Sequence, residues 1–466
     1  MRGFLASSIG VTCAAALALP LTPPAAAAAR PAADAGAPGA PAPRAAAPAV
    51  PGSTQSLPLE PSARDRATPS APATEQVVPR RSVRHFSLVG VVWDDPAAEL
   101  HGRVQVRTRT AATGAWSDWQ ALETHNTEHA ADRDTAEGAS GRVRGATAPL
   151  WVGDSDGVEL RVRSEPAQDA TGQGTDARGA AAAPPLPAGL RLELVDPGDE
   201  DRSVDGPRTA GSAAESTAAA EASAANAGLA APGAAQIAAL DRAETEQELL
   251  ALAAEGVATA PRAKPYIGPR PAIVTRRGWG ADEGLRESGF KYTKKVKAAF
   301  VHHTASGNGY NCSQVPSLIR GIYRYHVRSM GWRDIGYNFV VDKCGKIYEG
   351  RAGGVAKPVL GAHTLGFNSN SMGIAVLGTY GSKKPSKAAV KAVARLSAWK
   401  LGLHGMNPKK KTTLTSAGSN LYSKGRKVRL NVISGHRDGF KTECPGGKLY
   451  AKLGSARSKA AHYQGR

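Results

Sequence analysis

Acidic residues are scarce in the second part of this chain. Residues 262–466 carry 8 Asp and Glu against 38 Lys and Arg, leaving 32 against 21 for everything before them, within a total of +19. The basicity therefore sits on one part, and such a field concentrates it on polyanions. Long apolar runs are missing too. Past the first 29 residues none approaches the roughly 18 needed for a helix to cross a bilayer, so no transmembrane helix is expected there. No internal repeat is present, so a repeat architecture is excluded. The lysines lie on scattered stretches such as Lys383-Lys384 and Lys409 to Lys411 with no groove-reading motif among them, so nucleic acid is not an expected partner. Cysteine is limited to Cys13, Cys312, Cys344 and Cys444.

What is present falls into five stretches. Residues 1–29 run from Met-Arg-Gly through an apolar core to an alanine run, the pattern of a secretory signal peptide, so the mature chain is expected to be secreted, extracellular or wall-associated. Cleavage there removes Cys13. Residues 30–83 are Ala/Pro-rich with few large apolar side chains and read as a disordered linker. Residues 84–198 alternate apolar and polar positions in Phe86 to Trp93, Val104 to Arg109, Gly157 to Arg163 and Leu190 to Val195, which predicts an all-β, sandwich-like accessory domain. Its Trp93, Trp116, Trp119 and Trp151 are either core residues or a sugar-stacking surface. Residues 199–264 form a second low-complexity linker, with one possible helix from Gln236 to Leu252, and linkers of this kind let one domain search while another holds.

Residues 265–466 read as an α/β domain, a mixed central sheet flanked by helices. Strands are expected near 297–303, 371–378 and 428–434, a hairpin over 337–348, and helices over 315–330, 387–403 and 447–461. Chemistry concentrates in His302, His436 and Cys444. Two imidazoles and a thiolate suit a tetrahedral zinc ion that keeps its fourth position for water, as catalytic sites do and closed structural sites do not. A water in that position loses a proton near neutral pH, so the pattern reads as a hydrolase. His303 competes with His302, because neighbours on a strand point to opposite faces and only one of them can face a metal.

Six segments then matter together: Arg276-Arg-Gly-Trp-Gly-Ala-Asp282, Val301-His-His-Thr304, Gly331-Trp-Arg-Asp-Ile-Gly-Tyr-Asn-Phe339, Tyr348-Glu-Gly-Arg351, Gly361-Ala-His363 and Gly435-His-Arg-Asp438. In this order they resemble the peptidoglycan recognition protein family, which comprises zinc-dependent N-acetylmuramoyl-L-alanine amidases of type 2 and non-catalytic relatives. The resemblance covers about residues 271–455. It implies Zn2+ held by His302 rather than His303, with His436 and Cys444. It further implies that Tyr337 and Thr442 stabilise the oxyanion, and that His326, Gly331, Trp332, Arg351, His363 and Asn368 hold the muramyl peptide. Gly331-Trp332 and Arg351 resemble the version associated with diaminopimelic acid, whose extra carboxylate an arginine can bind bidentately. Trp332 and His326 also suit purely structural roles. With Cys444 on the metal, Cys312 and Cys344 can pair in an oxidising compartment, the alternative being two free thiols. The family's animal members use a different disulfide in this loop, and Ser306 stands where its second cysteine would be expected.

The implied reaction is hydrolysis of the amide between N-acetylmuramic acid and L-alanine in peptidoglycan, with a non-catalytic peptidoglycan-binding protein or a zinc peptidase of the stem peptide as alternatives. Glu443 and Asp438 are the carboxylates near the ligands in sequence, and neither is assigned as proton donor. For an exported protein the basic part is further suited to anionic wall polymers.

Overall fold

The structure is a computed structural model that describes residues 52–62, 65, 74–124, 126–165, 184–198, 213–261 and 263–466. The signal peptide expected at 1–29 lies outside the described residues. Eight antiparallel strands form the first sheet: β1 (Ser53–Pro58), β2 (Glu60–Pro61), β3 (Glu75–Trp93), β4 (Gly102–Thr110), β5 (Gln120–Leu122), β6 (Gly145–Ala146), β7 (Leu150–Ser164) and β8 (Arg191–Asp196). They run in the order β1-β8-β3-β7-β4-β5, with β2 and β6 also on β3.

Two expectations are corrected here. The stretch 30–83 was expected to be a linker, but β1 pairs with β8 along its whole length and β2 pairs with β3. Ladder hydrogen bonds along its length hold β1 in place, with Leu57 as its one large apolar side chain against the core, which is why composition did not reveal it. Residues 199–264 also enter the fold. A two-residue strand, β9 (Gln236–Ile237), joins the second sheet, and the helix Arg242–Ala254 buries Leu249 and Leu252. Asp241 and Glu244 close that helix's N-terminus in a reciprocal capping box.

The second sheet adds β10 (Ile273–Val274), β11 (Ala298–His303), β12 (Phe339–Val341), β13 (Ile347–Glu349), β14 (Ser371–Val376) and, past a separate hairpin of β15 (Lys411–Thr415) and β16 (Lys427–Asn431), β17 (Ile433–Gly435). Its order is β17-β11-β14-β12-β13-β10-β9. The single strand expected over 428–434 is therefore two. Between them Val432 donates its N–H to Lys410 O, and β17 then turns to β11. One face of the sheet packs on the helices Lys387–Leu403 and Leu453–Tyr463, through Trp399, Leu396, Val393 and Ala460. The other face packs on the helix Val315–Arg324, whose Val315, Leu318, Ile319 and Ile322 recur at helical spacing. Cys312 and Cys344 are joined by a disulfide, with Cα atoms 6.5 Å apart.

The β domain is not a tethered neighbour. The end of β3 is buried on both faces, and its side chains alternate. Val89, Val91 and Trp93 enter the β domain's own core, whereas Leu88 and Val92 join the cluster around the helix Val315–Arg324. Between them, Gly90 lets the Tyr325 ring lie on the strand: a Cβ there would sit 2.3 Å from the Tyr325 oxygen. That hydroxyl donates to Thr147 O at 3.1 Å. The four tryptophans are divided rather than arrayed for sugar. Trp93 is core, Trp151 packs against the second domain, and guanidiniums of Arg80 and Arg161 cover Trp116 and Trp119 at 4.1 and 4.2 Å.

Because one core serves both domains, Leu88→Ala in the β domain should destabilise the whole unit. The expected loss is about 2–5 kcal/mol. In urea, probes in the two domains should lose structure together at a lowered midpoint.

Candidate metal centre

All six residues of β11 are buried. Ala299 and Val301 pack beneath the helix Lys387–Leu403, and Ala298 and Phe300 pack in a separate cluster with Phe367. Alternation sends His303 with the first pair and His302 with the second. His303 Nδ1 accepts from Tyr380 N at 3.3 Å, and burial, aided by Arg437, pushes its pKa down to about 4. His302 faces the centre. Strand β17 lies parallel to β11 with Val301 opposite Gly435, so His436 emerges beside His302, their rings 4.5 Å apart. Cys444 returns on a loop closed by Arg437 N donating to Cys444 O at 3.1 Å, which leaves its Sγ 3.8 Å from His302 Nδ1.

A fourth donor comes from the other domain. His129, in the connection between β5 and β6, places Nε2 3.5 Å from the Cys444 sulfur and its ring 4.5 Å from that of His436. One donor atom from each of His129, His302, His436 and Cys444 lies within 4.8 Å of the others. A tetrahedral ion bonded at about 2.0–2.3 Å sets its ligands about 3.3–3.8 Å apart, so the cluster fits one with small side-chain shifts. The polar bookkeeping agrees. His129 Nδ1 is buried with no hydrogen-bond partner among the described residues, and buried His436 has only the Glu128 backbone beside its ring, a costly state unless something else satisfies these nitrogens. Burial, with the neighbouring imidazoles, holds His129, His302 and His436 well below the usual histidine range and so in the neutral, ligating form. Burial also pushes the Cys444 thiol up, which a coordinated cation reverses. His302 is oriented from behind: its Nε2 lies 3.4 Å from Thr364 Oγ1, which lies 3.0 Å from His363 Nδ1.

The chain is similar to known proteins of one family. A family model described as N-acetylmuramoyl-L-alanine amidase matches residues 292–447. Peptidoglycan-recognition protein SC2 of Drosophila simulans is 31% identical over 184 residues, covering 39% of this chain and 84% of that protein. The chain belongs to the peptidoglycan-recognition protein family. Human N-acetylmuramoyl-L-alanine amidase is 32% identical over 191 residues, covering 39% of this chain and 28% of that protein. The solved Drosophila PGRP-LB is 26% identical, over 39% of this chain and 92% of that one, at a TM-score of 0.31. A second model, described as Rv3811 N-terminal galactose-binding domain-like, matches residues 41–185.

In this recognition-protein domain Tyr337 stands beside the centre, its ring 5.7 Å from that of His302, and burial raises its phenol well above the usual range. His326 and Trp332 are both buried and their rings pack at 4.5 Å. His326 Nδ1 accepts from Gly336 N at 3.2 Å, so the pair supports Tyr337 from below. Arg351 is anchored by Nε donating to Ile335 O at 2.9 Å. The framework around it is ionic: buried Arg276 pairs with Glu283 and Asp334, and Asp334 accepts from Ala352 N at 2.9 Å. Asn368 Oδ1 accepts from the N–H of His363 and of Thr364, fixing that turn. Asp438 is committed to Gly435 N and the Tyr450 hydroxyl, at 2.9 and 2.6 Å, and Glu443 points to solvent.

Thr442, Arg351, Asn368 and Gly331 share an unexpected feature: residues 126–144 lie on all of them. Thr442 Oγ1 donates to Glu128 at 2.5 Å, and Asn368 Nδ2 donates to Asp132 at 2.9 Å and to Ala130 O at 2.8 Å. Arg351 donates bidentately to Glu137 at 2.8 and 2.9 Å. Gly331, at φ +77°, has Arg142 O where a Cβ would be, 2.1 Å away. Sequence reasoning missed these partners and His129. A lone histidine outside any motif gives no signal, and neither does a stretch that mixes four carboxylates with three arginines.

Titration with Co2+ should reveal one site per chain with thiolate-to-metal absorption. Cys444→Ala should abolish that band and weaken binding on the order of a hundredfold or more.

Proposed function

We propose that the protein is a secreted, zinc-dependent amidase that hydrolyses the bond between N-acetylmuramic acid and L-alanine in peptidoglycan. The convergence of His302, His436 and Cys444 at the ends of β11 and β17, with Tyr337 against them, carries this reading. Two imidazoles, a thiol and a phenol gathered at one sheet edge are parts that a hydrolytic centre needs and that binding of muramyl peptides alone does not require. Zn2+, when held there, would polarise the amide carbonyl and provide a nucleophilic water at neutral pH.

The chain's own residues supply the rest. Tyr337, kept protonated by burial, is a neutral donor for the oxygen that gains charge as the carbonyl carbon becomes tetrahedral. The Thr442 hydroxyl is a second donor once it leaves Glu128. Arg351 receives the stem peptide. In this structure it already grips a carboxylate through two parallel N–H bonds, and that fork suits the extra carboxylate of diaminopimelate, which lysine lacks. Exposed Lys383, Lys384 and Lys409 to Lys411 on the same domain suit anionic wall polymers.

Digestion of diaminopimelate-type peptidoglycan should create new L-alanine N-termini. They should vanish with chelator and with Cys444→Ala. Binding without new termini from zinc-replete protein, freed of residues 126–144, would sink the amidase reading in favour of a receptor. Tyr337→Phe should lower kcat by about 10- to 1,000-fold with little change in KM, as loss of one transition-state donor does.

A further inference from the structure

An open metal position and an open groove are what the proposed reaction requires, and this structure shows neither. His129, His302, His436 and Cys444 are all at most 5% exposed. From 126 to 144 the chain has no helix or strand, and connections longer than about 12–15 residues without structure of their own are uncommon and are usually either functional loops or linkers. This one is held down by chemistry matched to the groove. Glu128, Asp132, Asp134 and Glu137 meet Thr442, Asn368, Lys424 and Arg351 in turn. Asp132 Oδ1 also accepts from Gly366 N at 2.7 Å, and Arg144 N donates to Met330 O at 3.1 Å. Four carboxylates of this segment thus lie on the basic domain, and beside them remains a cavity of about 220 Å³ that Asp132 and Glu137 help to line.

We propose that residues 126–144 are a built-in inhibitor that holds the site latent, with His129 in the fourth position of the metal centre and Glu137 in the place of a substrate carboxylate on Arg351. The inference rests on the amidase reading only for what the site does when opened. Four protein ligands make the closed site of a structural metal, three the open site of a catalytic one, so withdrawing His129 converts the first into the second. Glu137 must leave with it, because one guanidinium fork accepts one carboxylate. A peptide with a free carboxylate and the segment therefore compete for Arg351. The connection stays tied through β5 and β6, so opening requires movement or cutting of the segment and not separation of the domains.

Three zinc-loaded full-length proteins test this: the parent, His129→Ala/Glu137→Gln, and a chain with a specific protease site inserted after exposed Gly141 and cut in the folded state. The probe is a soluble muramyl tripeptide ending in diaminopimelate, with binding read by calorimetry. The double variant and the cut chain should bind at least tenfold more tightly than the parent. With Co2+ in place of Zn2+, azide should leave the parent's absorption unchanged and shift that of the double variant. Equal peptide affinity in all three, with an azide response in the parent, overturns the inference. If the opened proteins bind the peptide yet release no L-alanine termini, the latent site stands and the amidase reading falls. If the parent cleaves as fast as the opened forms, the inhibitor falls and the amidase stands. If none binds the peptide, both fall.

Discussion

The parallel pairing of β17 with β11 is the constraint on which the rest of the site depends. With Val301 opposite Gly435, the next residue of each strand is a histidine, and both emerge at the same edge of the sheet. A one-residue slip would send one of them to the far face, since side chains alternate along a strand. Register is held by burial. Every residue of β11 and β17 is out of solvent, so slippage would drive imidazole into the apolar layer beneath and apolar side chains into the site. Cys444 then needs only the short loop tied by Arg437 N to Cys444 O to return to the pair.

A second layer of constraint surrounds this edge. Arg276, Glu283, Asp334 and Arg286 form a buried ionic network that fixes the backbone on both sides of Arg351, through Gly350 O and Ala352 N. Such networks are not strong sources of stability, because desolvation offsets the attraction, but a missing partner leaves a buried charge and is costly. Its consequence here is positional. Arg351 presents its fork to the groove from a rigid frame, and the connection between β5 and β6 meets it there. The shared core of Leu88 and Val92 with the helix Val315–Arg324 keeps that connection close enough to reach.

Much of the second domain was legible from periodicity. The run Ala298–His303 reads as a buried strand, and Val315, Leu318, Ile319 and Ile322 read as one helix face. The convergence of His302, His436 and Cys444 was legible from their residue types and from the collinear segments around them. The linkers were misread for a definite reason. Ser53–Pro58 and Gln236–Ile237 are held by ladder hydrogen bonds, and backbone pairing leaves no compositional trace. His129 and Glu137 were invisible for a related reason. Their partners are far away in sequence, and nothing local to them is unusual.

By itself the sequence determined the donor chemistry, because thiolate and imidazole ligate soft and borderline metals wherever they meet, and it determined the strand and helix periods that build the sheet. Residue types and alternation left His302 and His303 open and the family resemblance chose His302; tertiary structure supplies the physical reason, because packing of Ala299 and Val301 against the helix Lys387–Leu403 turns His303 to that face and His302 to the other donors. It also decided how many donor side chains converge there. That number depends on where a loop of one domain lands on another, and the landing is set by a shared core and by charges that are paired only in three dimensions.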